Sequence, residues 1–324
     1  MEKAEWPRIA IVMAVYEPRM DWLREQLMSL NTQTYPNLFL YIRDDCSPNV
    51  PISAIELLVR RCIVNFPWTI RKNEKNIGSR KTFERLTQEA EGAYIAYCDQ
   101  DDIWKPEKLT VLQQEIERNG ALLVCSDVEI IDGNGEKTAD SITEIRRHHR
   151  FHSGRDLAEG LLLFNFAMGC TMLVSAQEAK AAVPFCPYME HDHYLALWCA
   201  SRGVVQSLPQ RLIRYRVHGG NQTGLLAGVT DRDSYARMRI DEPLRRMEWL
   251  AAQFPCSETL RRAIEARRMW MQARQDNWNH RGGACGVFAG RAFSPIPSLF
   301  ELLFAHMPQP MIRAAIWCGK KNWI

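Results

Sequence analysis

An unbroken apolar run from Ile9 to Val15 is stopped by Tyr16-Glu17-Pro18. Such a run suits a strand buried on both faces, as in a parallel sheet. Between Asp21 and Leu30 the apolar residues Leu23, Leu27 and Leu30 return at helical spacing, which predicts an amphipathic helix. Gln33-Thr34-Tyr35-Pro36-Asn37 reads as a turn, and Leu38 to Ile42 as a second strand closing on Arg43-Asp44-Asp45-Cys46-Ser47-Pro48. A third unit repeats the pattern, with a helix over Ile52 to Val64, a strand over Trp68 to Arg71, a polar loop from Asn73 to Gly78 and a helix over Lys81 to Glu91. The next apolar run, Tyr94 to Cys98, ends in Asp99-Gln100-Asp101-Asp102, and Lys105-Pro106-Glu107 opens a helix running to Arg118. This alternation predicts an α/β fold, Rossmann-like, with a mainly parallel central sheet flanked by helices.

Leu122 to Asp127 reads as a further strand, and Asp132-Gly133-Asn134-Gly135 as a tight hairpin turn. Thr138 to Arg155 is polar and holds His148, His149 and His152 without matching carboxylates, which predicts a mobile loop rather than a metal site. Phe166 to Val174 is strand-like, Pro184 to Tyr188 a loop, and Glu190-His191-Asp192-His193-Tyr194 opens a helix over Leu195 to Ser201. Residues 231 to 281 carry eleven Arg and no Lys, together with Trp249, Trp270 and Trp278, and place Met247, Leu250 and Ala251 at helical spacing. Two short apolar segments, Phe293 to Phe304 and Met311 to Trp317, precede Lys320-Lys321. The division expected is a domain over 1–228 and a basic, Trp-containing helical region over 229–324.

With 324 residues and 46% hydrophobic content, the chain can bury a substantial core. Ten cysteines fall at irregular spacings with no Cys-x-x-Cys pair, so reduced thiols are expected rather than a zinc ribbon or disulfide framework. The charged N-terminus and the lack of a spanning apolar run predict a cytoplasmic protein. A net charge of +3 is too small to imply nucleic acid, but it divides into +6 from Asp231 onward and −3 before it. The tail helices suit contact with the inner face of the plasma membrane, and a homodimer interface is the other reading.

Three carboxylates within four residues repel one another unless a cation or solvent neutralises them. At the tip of a parallel strand, where open α/β sheets bind ligands, Asp-x-Asp suits Mn²⁺ or Mg²⁺ bridging a diphosphate. Asp102 is expected to cap the next helix, and a merely solvated acidic turn is the alternative for the whole stretch. Arg43-Asp44-Asp45 and Asn73 to Gly78 also follow strands, so three strand ends bring polar groups to one edge.

Taken together, Ile11-Val-Met-Ala-Val-Tyr-Glu17, Gln33-Thr-Tyr-Pro36, Arg43-Asp-Asp-Cys-Ser47, Lys75-Asn-Ile-Gly78 and Tyr97-Cys-Asp-Gln-Asp-Asp-Ile-Trp-Lys-Pro-Glu-Lys-Leu109 resemble the family 2 glycosyltransferases, inverting sugar-nucleotide enzymes of the GT-A fold. The resemblance covers residues 8 to 225, with Ala14, Glu17 and Cys46 standing where Pro, Asn and Gly are common. It implies that Ala14, Tyr16, Glu17, Asp45, Asn76, Gly78 and Asp99 hold the nucleotide, with Asp45 accepting from a pyrimidine N3–H. It implies that Asp101 ligates the metal and that Asp192 is the general base, with Glu190 as the other carboxylate at that helix start. His191 and His193 become candidate substrate contacts, and the histidine-bearing loop lies on the acceptor side. Arg214-Tyr-Arg-x-His-x-x-Asn-x-x-Gly224 is similar to the bacterial rhamnosyltransferase-like branch. That similarity makes His218 a second metal ligand or phosphate contact and Arg216 an offset to the leaving group's charge.

The reaction so implied moves a sugar, rhamnose in that branch, from a dTDP or UDP donor to a hydroxyl of a glycan or lipid-linked acceptor in surface polysaccharide synthesis. Two rival classes remain. A sugar-phosphate nucleotidyltransferase would want a Gly-rich phosphate loop, which Ala14-Val-Tyr-Glu-Pro-Arg lacks. A non-catalytic interaction protein on the same fold would bind no nucleotide.

Overall fold

The computed structural model describes residues 6–146, 148–218 and 228–320. Strands and helices alternate through β1 (Ile9–Val15), α1 (Met20–Asn31), β2 (Leu38–Asp44), α2 (Ile52–Cys62), β3 (Trp68–Lys72), α3 (Ser79–Glu89) and β4 (Tyr94–Cys98). There follow β5 (Ile103–Trp104), α4 (Lys108–Asn119), β6 (Ala121–Ile131), β7 (Lys137–Ala139), α5 (Ile142–Ile145), α6 (Ala158–Leu161), β8 (Met172–Ser175), α7 (Ala176–Ala181), α8 (His191–Ala200) and β9 (Val204–Arg216). All nine strands join one sheet in the order β3-β2-β1-β4-β8-β6-β9-β5, with β7 on β6. Strands β3, β2, β1 and β4 are mutually parallel, β6 and β9 are parallel, and β8 runs antiparallel between β4 and β6.

The apolar run that predicts β1 lies at the centre of this sheet. Ile9, Ile11, Met13 and Val15 pack with Leu23, Leu27 and Leu30 of α1 and with Leu109, Leu112 and Ile116 of α4 in one core. This is why β1 has no polar alternation: both its faces are covered.

Two segments differ from their sequence expectation, and β9 is a strand which that expectation lacks. Residues Phe166 to Val174 form a strand only from Met172, because Gly169–Thr171 turns as a 3₁₀ helix. The unanticipated β9 runs from Val204 to Arg216 through Pro209, which sits where the register with β6 slips between Leu208 and Arg211. Proline lacks an N–H, and a bulge is where a sheet tolerates that loss. The histidine-bearing loop is pinned rather than mobile, since Gly154 exchanges both backbone hydrogen bonds with Val205 and the His152 carbonyl accepts from Ser207 Oγ.

The chain divides into two compact units, one comprising the residues up to Phe185 together with Glu190–His218. The other comprises Cys186–Met189 and the described residues from 228 onward. Its helices are α9 (Arg232–Tyr235), α10 (Glu242–Gln253), α11 (Glu258–Trp278), α12 (Ala284–Ala289), α13 (Pro295–Phe304) and α14 (Gln309–Lys320), with a π-helical turn over Ala236–Asp241. Tyr235, Trp278, Phe304, Ile312 and Ile316 form its core, beside a buried Arg274–Glu301 ion pair at 2.5 Å. Among the described residues no helix is long and apolar enough to cross a membrane.

Candidate active site

The parallel register aligns Val15 with Asp44 and Met13 with Cys98, so the loops after β1, β2 and β4 emerge along one edge. Gln100 ties two of them together: its Oε1 accepts from the Tyr16 N–H (2.9 Å) and its Nε2 donates to the Tyr16 carbonyl (3.1 Å). The sequence offers no signal for this residue beyond its place between two aspartates. Ala14 pairs with Arg43 in the sheet, and Tyr16 is 45% exposed.

Asp44 and Asp45 have different tasks although they are adjacent. Asp44 is sealed and accepts from Ser47 Oγ (2.6 Å) and Ser47 N–H, which shapes the turn after β2. Asp45 accepts from Asn73 Nδ2 (2.8 Å) and Ile77 N–H (2.9 Å) on Oδ1, and from Gly78 N–H (2.8 Å) on Oδ2. A carboxylate offers about four lone-pair directions, so one remains on Oδ2. Asn73, missed as a site residue, also accepts from Arg43 and Arg85 and so fixes the loop that holds Asp45.

Asn76 Oδ1 accepts from the Gly78 N–H at 3.1 Å, and Gly78, with φ 83°, leads into α3 in a conformation suited to glycine. The two departures at turn positions, Glu17 and Cys46, adopt φ 44° and 62°, the left-handed region where Asn and Gly are at ease. The Glu17 carboxylate accepts from Asn49 N–H and Nδ2, both at 2.8 Å, so it braces the neighbouring loop instead of reaching out for a nucleotide.

The carboxylates of the acidic loop diverge in environment. Asp102 is wholly buried and does not cap a helix, because α4 starts only at Lys108 with Glu107 as its N-cap residue. Instead Asp102 Oδ1 accepts from the Arg216 N–H at 3.0 Å, an outcome of the antiparallel pairing of Ile103–Trp104 with Ile213 and Arg214. Burial, then the charges of Asp101 and Asp99, push its carboxyl well above the usual range. Asp99 is pushed up to about 7, mainly by burial and then by Asp101 and Asp192. Beneath them lies Lys108, also fully buried, whose Nζ donates to the Cys170 carbonyl at 2.7 Å and whose ammonium is pushed down to about 7 by burial.

Arg216 is not free to meet a leaving group. It is 1% exposed, and its guanidinium donates to the Asp101 carbonyl (2.8 Å), to the carbonyls of Asp132 and Gly133, and to Glu25. It therefore holds the Asp101 main chain in place. Asp101 Oδ2 meets His218 Nε2 at 2.7 Å, and the His218 ring rests on Trp22 with centroids 4.7 Å apart. Residues 117 apart in sequence thus converge because β9 returns beside β5.

For a metal ion, carboxylate and imidazole side by side form a donor set that suits Mn²⁺. A second trio, Asp99, Asp102 and Cys170, also has ligand atoms within 4.8 Å of one another. Asp102 and Cys170 are 0% and 2% exposed, however, and burial keeps the Cys170 thiol protonated, so two of the three ligands are sealed and Asp99 alone reaches the edge. Asp101 and His218, both partly exposed, fit an ion at that edge better.

Asp192 sits in the first turn of α8. Its Oδ2 accepts from the Gly169 N–H (3.0 Å) and its Oδ1 from the His193 N–H (2.6 Å). Burial and the nearby Glu190 charge nevertheless push it up to about 6. Glu190 itself is exposed at the helix start. His191 and His193, expected to touch substrate, are each only 8% exposed. His191 stacks on Phe83 with centroids 4.1 Å apart, and His193 Nε2 meets the Leu161 carbonyl at 2.6 Å, so both brace the start of α8 from inside.

Gly169 is the feature that allows this packing: a Cβ there would lie 2.8 Å from His191 Nε2. A glycine inside an apolar run signals close approach and was the available clue. Gly169→Ala is expected to lower stability by about 1–3 kcal/mol through overpacking and to reduce transfer more than donor binding, as checked by thermal melts and calorimetry.

The sheet that carries these carboxylates along one edge, with a helix-start carboxylate in the same unit, has the GT-A architecture of glycosyltransferases. The chain belongs to glycosyl transferase family 2, whose domain matches residues 10–176, just over half of its length. An uncharacterized glycosyltransferase of Haemophilus influenzae is 27% identical over 229 residues, 67% of each chain. Mannosyltransferase PcManGT from Pyrobaculum calidifontis, solved with GDP-Man and Mn²⁺, shares the fold at a TM-score of 0.57 and 13% identity, over 99% of this chain and 84% of that one. S. aureus TarS 1-349, solved with UDP-GlcNAc, does so at 0.56 and 14%, over 92% and 79%. The chain spans less of some other matches, 16% of a Sinorhizobium fredii protein and 43% of another TarS chain.

Proposed function

We propose that this protein is a metal-dependent inverting glycosyltransferase that uses a pyrimidine nucleoside-diphosphate sugar. The observation that carries the reading is the convergence of Asp101 and His218 at 2.7 Å on the edge that also bears Asp45 and Asp99. In this reading Asp45 receives the nucleobase and Asp99 the ribose. Asp45's one remaining lone-pair direction, on Oδ2, matches the single imide N–H of uracil or thymine better than the paired donors of guanine. The first N–H groups of α3 would meet the diphosphate, behind the turn that Asn76 and Gly78 shape.

Asp101 and His218 would hold Mn²⁺ or Mg²⁺, which when bound supplies charge neutralisation for the departing nucleoside diphosphate. Arg216 fixes Asp101 through its carbonyl. Asp192 takes the proton of the acceptor hydroxyl, whose oxygen attacks the anomeric carbon opposite the leaving group and inverts that centre. Rhamnose is the donor sugar favoured by the Arg214-Tyr-Arg-x-His segment, and the acceptor is a glycan or lipid-linked saccharide of surface polysaccharide synthesis. Mn²⁺-dependent stabilisation of the fold is expected with UDP and dTDP and to be about tenfold weaker in affinity with GDP and CDP, as read by thermal shift. Preference for GDP would overturn the nucleobase assignment, and no response to any nucleotide would mean a non-catalytic protein.

A further inference from the structure

The last helices present an unusual combination of groups. Phe288 (47% exposed), Leu299 (49%), Leu303 (67%), Met311 (54%) and Trp317 (52%) fall within thirty residues, on α12, α13 and α14. Leu299 and Leu303, four residues apart, share one face of α13. Between them and their neighbours the exposed charges are cationic: Arg291, whose guanidinium lies 4.0 Å from the Phe288 ring centroid, and Arg313, which also feels the Asp231 carboxylate. From residue 282 to 320 the only carboxylate is Glu301. It is 3% exposed and bound by Arg274 and Tyr235, so it contributes nothing to this surface.

We propose that α12, α13 and α14 dock on an anionic lipid surface, with the exposed apolar side chains entering the headgroup boundary and the arginines facing lipid phosphates. Charge decides against a second copy of the chain. A two-fold contact would set Arg291 against Arg291 with no exposed acid on α12, α13 or α14 to answer, and the neighbouring Asp231 already faces Arg313. An anionic membrane complements both features. The inference is independent of the catalytic reading, since vesicle binding needs no sugar donor.

Co-sedimentation of the whole chain with phosphatidylcholine vesicles, with and without phosphatidylglycerol, tests it. Pelleting is expected only with the anionic vesicles, and high salt should weaken it. Arg291→Glu should weaken binding by at least about fivefold. The Leu299→Glu, Leu303→Glu double variant should abolish it while leaving the thermal melt unchanged, because both side chains are exposed. Wild-type protein that stays in the supernatant, or a double variant that pellets as well as wild type, would overturn the proposal. So would a dimer in sedimentation velocity that the double variant dissolves.

Discussion

Asp192→Asn is expected to lower transfer by about 10²–10⁴-fold, the usual worth of a general base, while Mn²⁺-dependent binding of UDP or dTDP is retained. Asparagine keeps an oxygen to accept from Gly169 or His193 but cannot take a proton. Because burial and Glu190 raise the carboxyl to about 6, wild-type kcat/KM should climb as pH rises through 6 and level off above it. The variant should lack that limb. A steady-state pH profile beside calorimetric donor binding separates the two effects, and transfer retained by the variant would remove Asp192 from the mechanism.

The same shift has a consequence for stability. An aspartate whose folded value lies above its ordinary 3.8 binds its proton more tightly in the folded chain, so stability falls as pH rises from about 4 to about 6. Above that window the charged form is a standing penalty of up to about 3 kcal/mol. Asp192→Asn should therefore lack this fall in stability between about pH 4 and 6, while it gives up one of the two hydrogen bonds from Gly169 and His193 at every pH. Activity and stability oppose each other at this residue.

Asp101→Ala should weaken metal-dependent nucleoside diphosphate binding by about a hundredfold, or roughly 3 kcal/mol, because it removes the carboxylate that meets His218 at the proposed metal site. His218→Ala should reduce the same binding less, since a neutral imidazole carries no charge to the ion. Titration calorimetry with Mn²⁺ present and with EDTA reads both. Metal-free binding should be unaffected, because Asp45 and its loop are held by Asn73, Ile77 and Gly78 rather than by Asp101. Unchanged Mn²⁺-dependent binding in Asp101→Ala would reject it as a ligand.

Much of the sheet was legible because the strand signal is local. The apolar run Ile9 to Val15 and the abrupt end of Tyr94 to Cys98 each state burial and its limit within a few residues, and both match β1 and β4. The side chains with altered assignments depend on partners far along the chain. Arg216 looks like an available cation until its contacts with Glu25, Asp101, Asp132 and Gly133 are seen. Asp102 looks like a helix cap until β9 brings the Arg216 N–H to it. His191 has a polar ring in the sequence but an aromatic environment in the fold.

The sequence by itself determined the alternation of strands and helices, the family resemblance and the edge on which acidic groups gather, because periodicity and strand ends are properties of neighbouring residues. Only the tertiary structure decided which of those groups remain open. Packing sealed Asp102, Arg216 and His191, set Asp192 against Gly169, and carried His218 across 117 residues to Asp101. Burial and long-range pairing govern both charge state and access, and neither is written in any short stretch of chain.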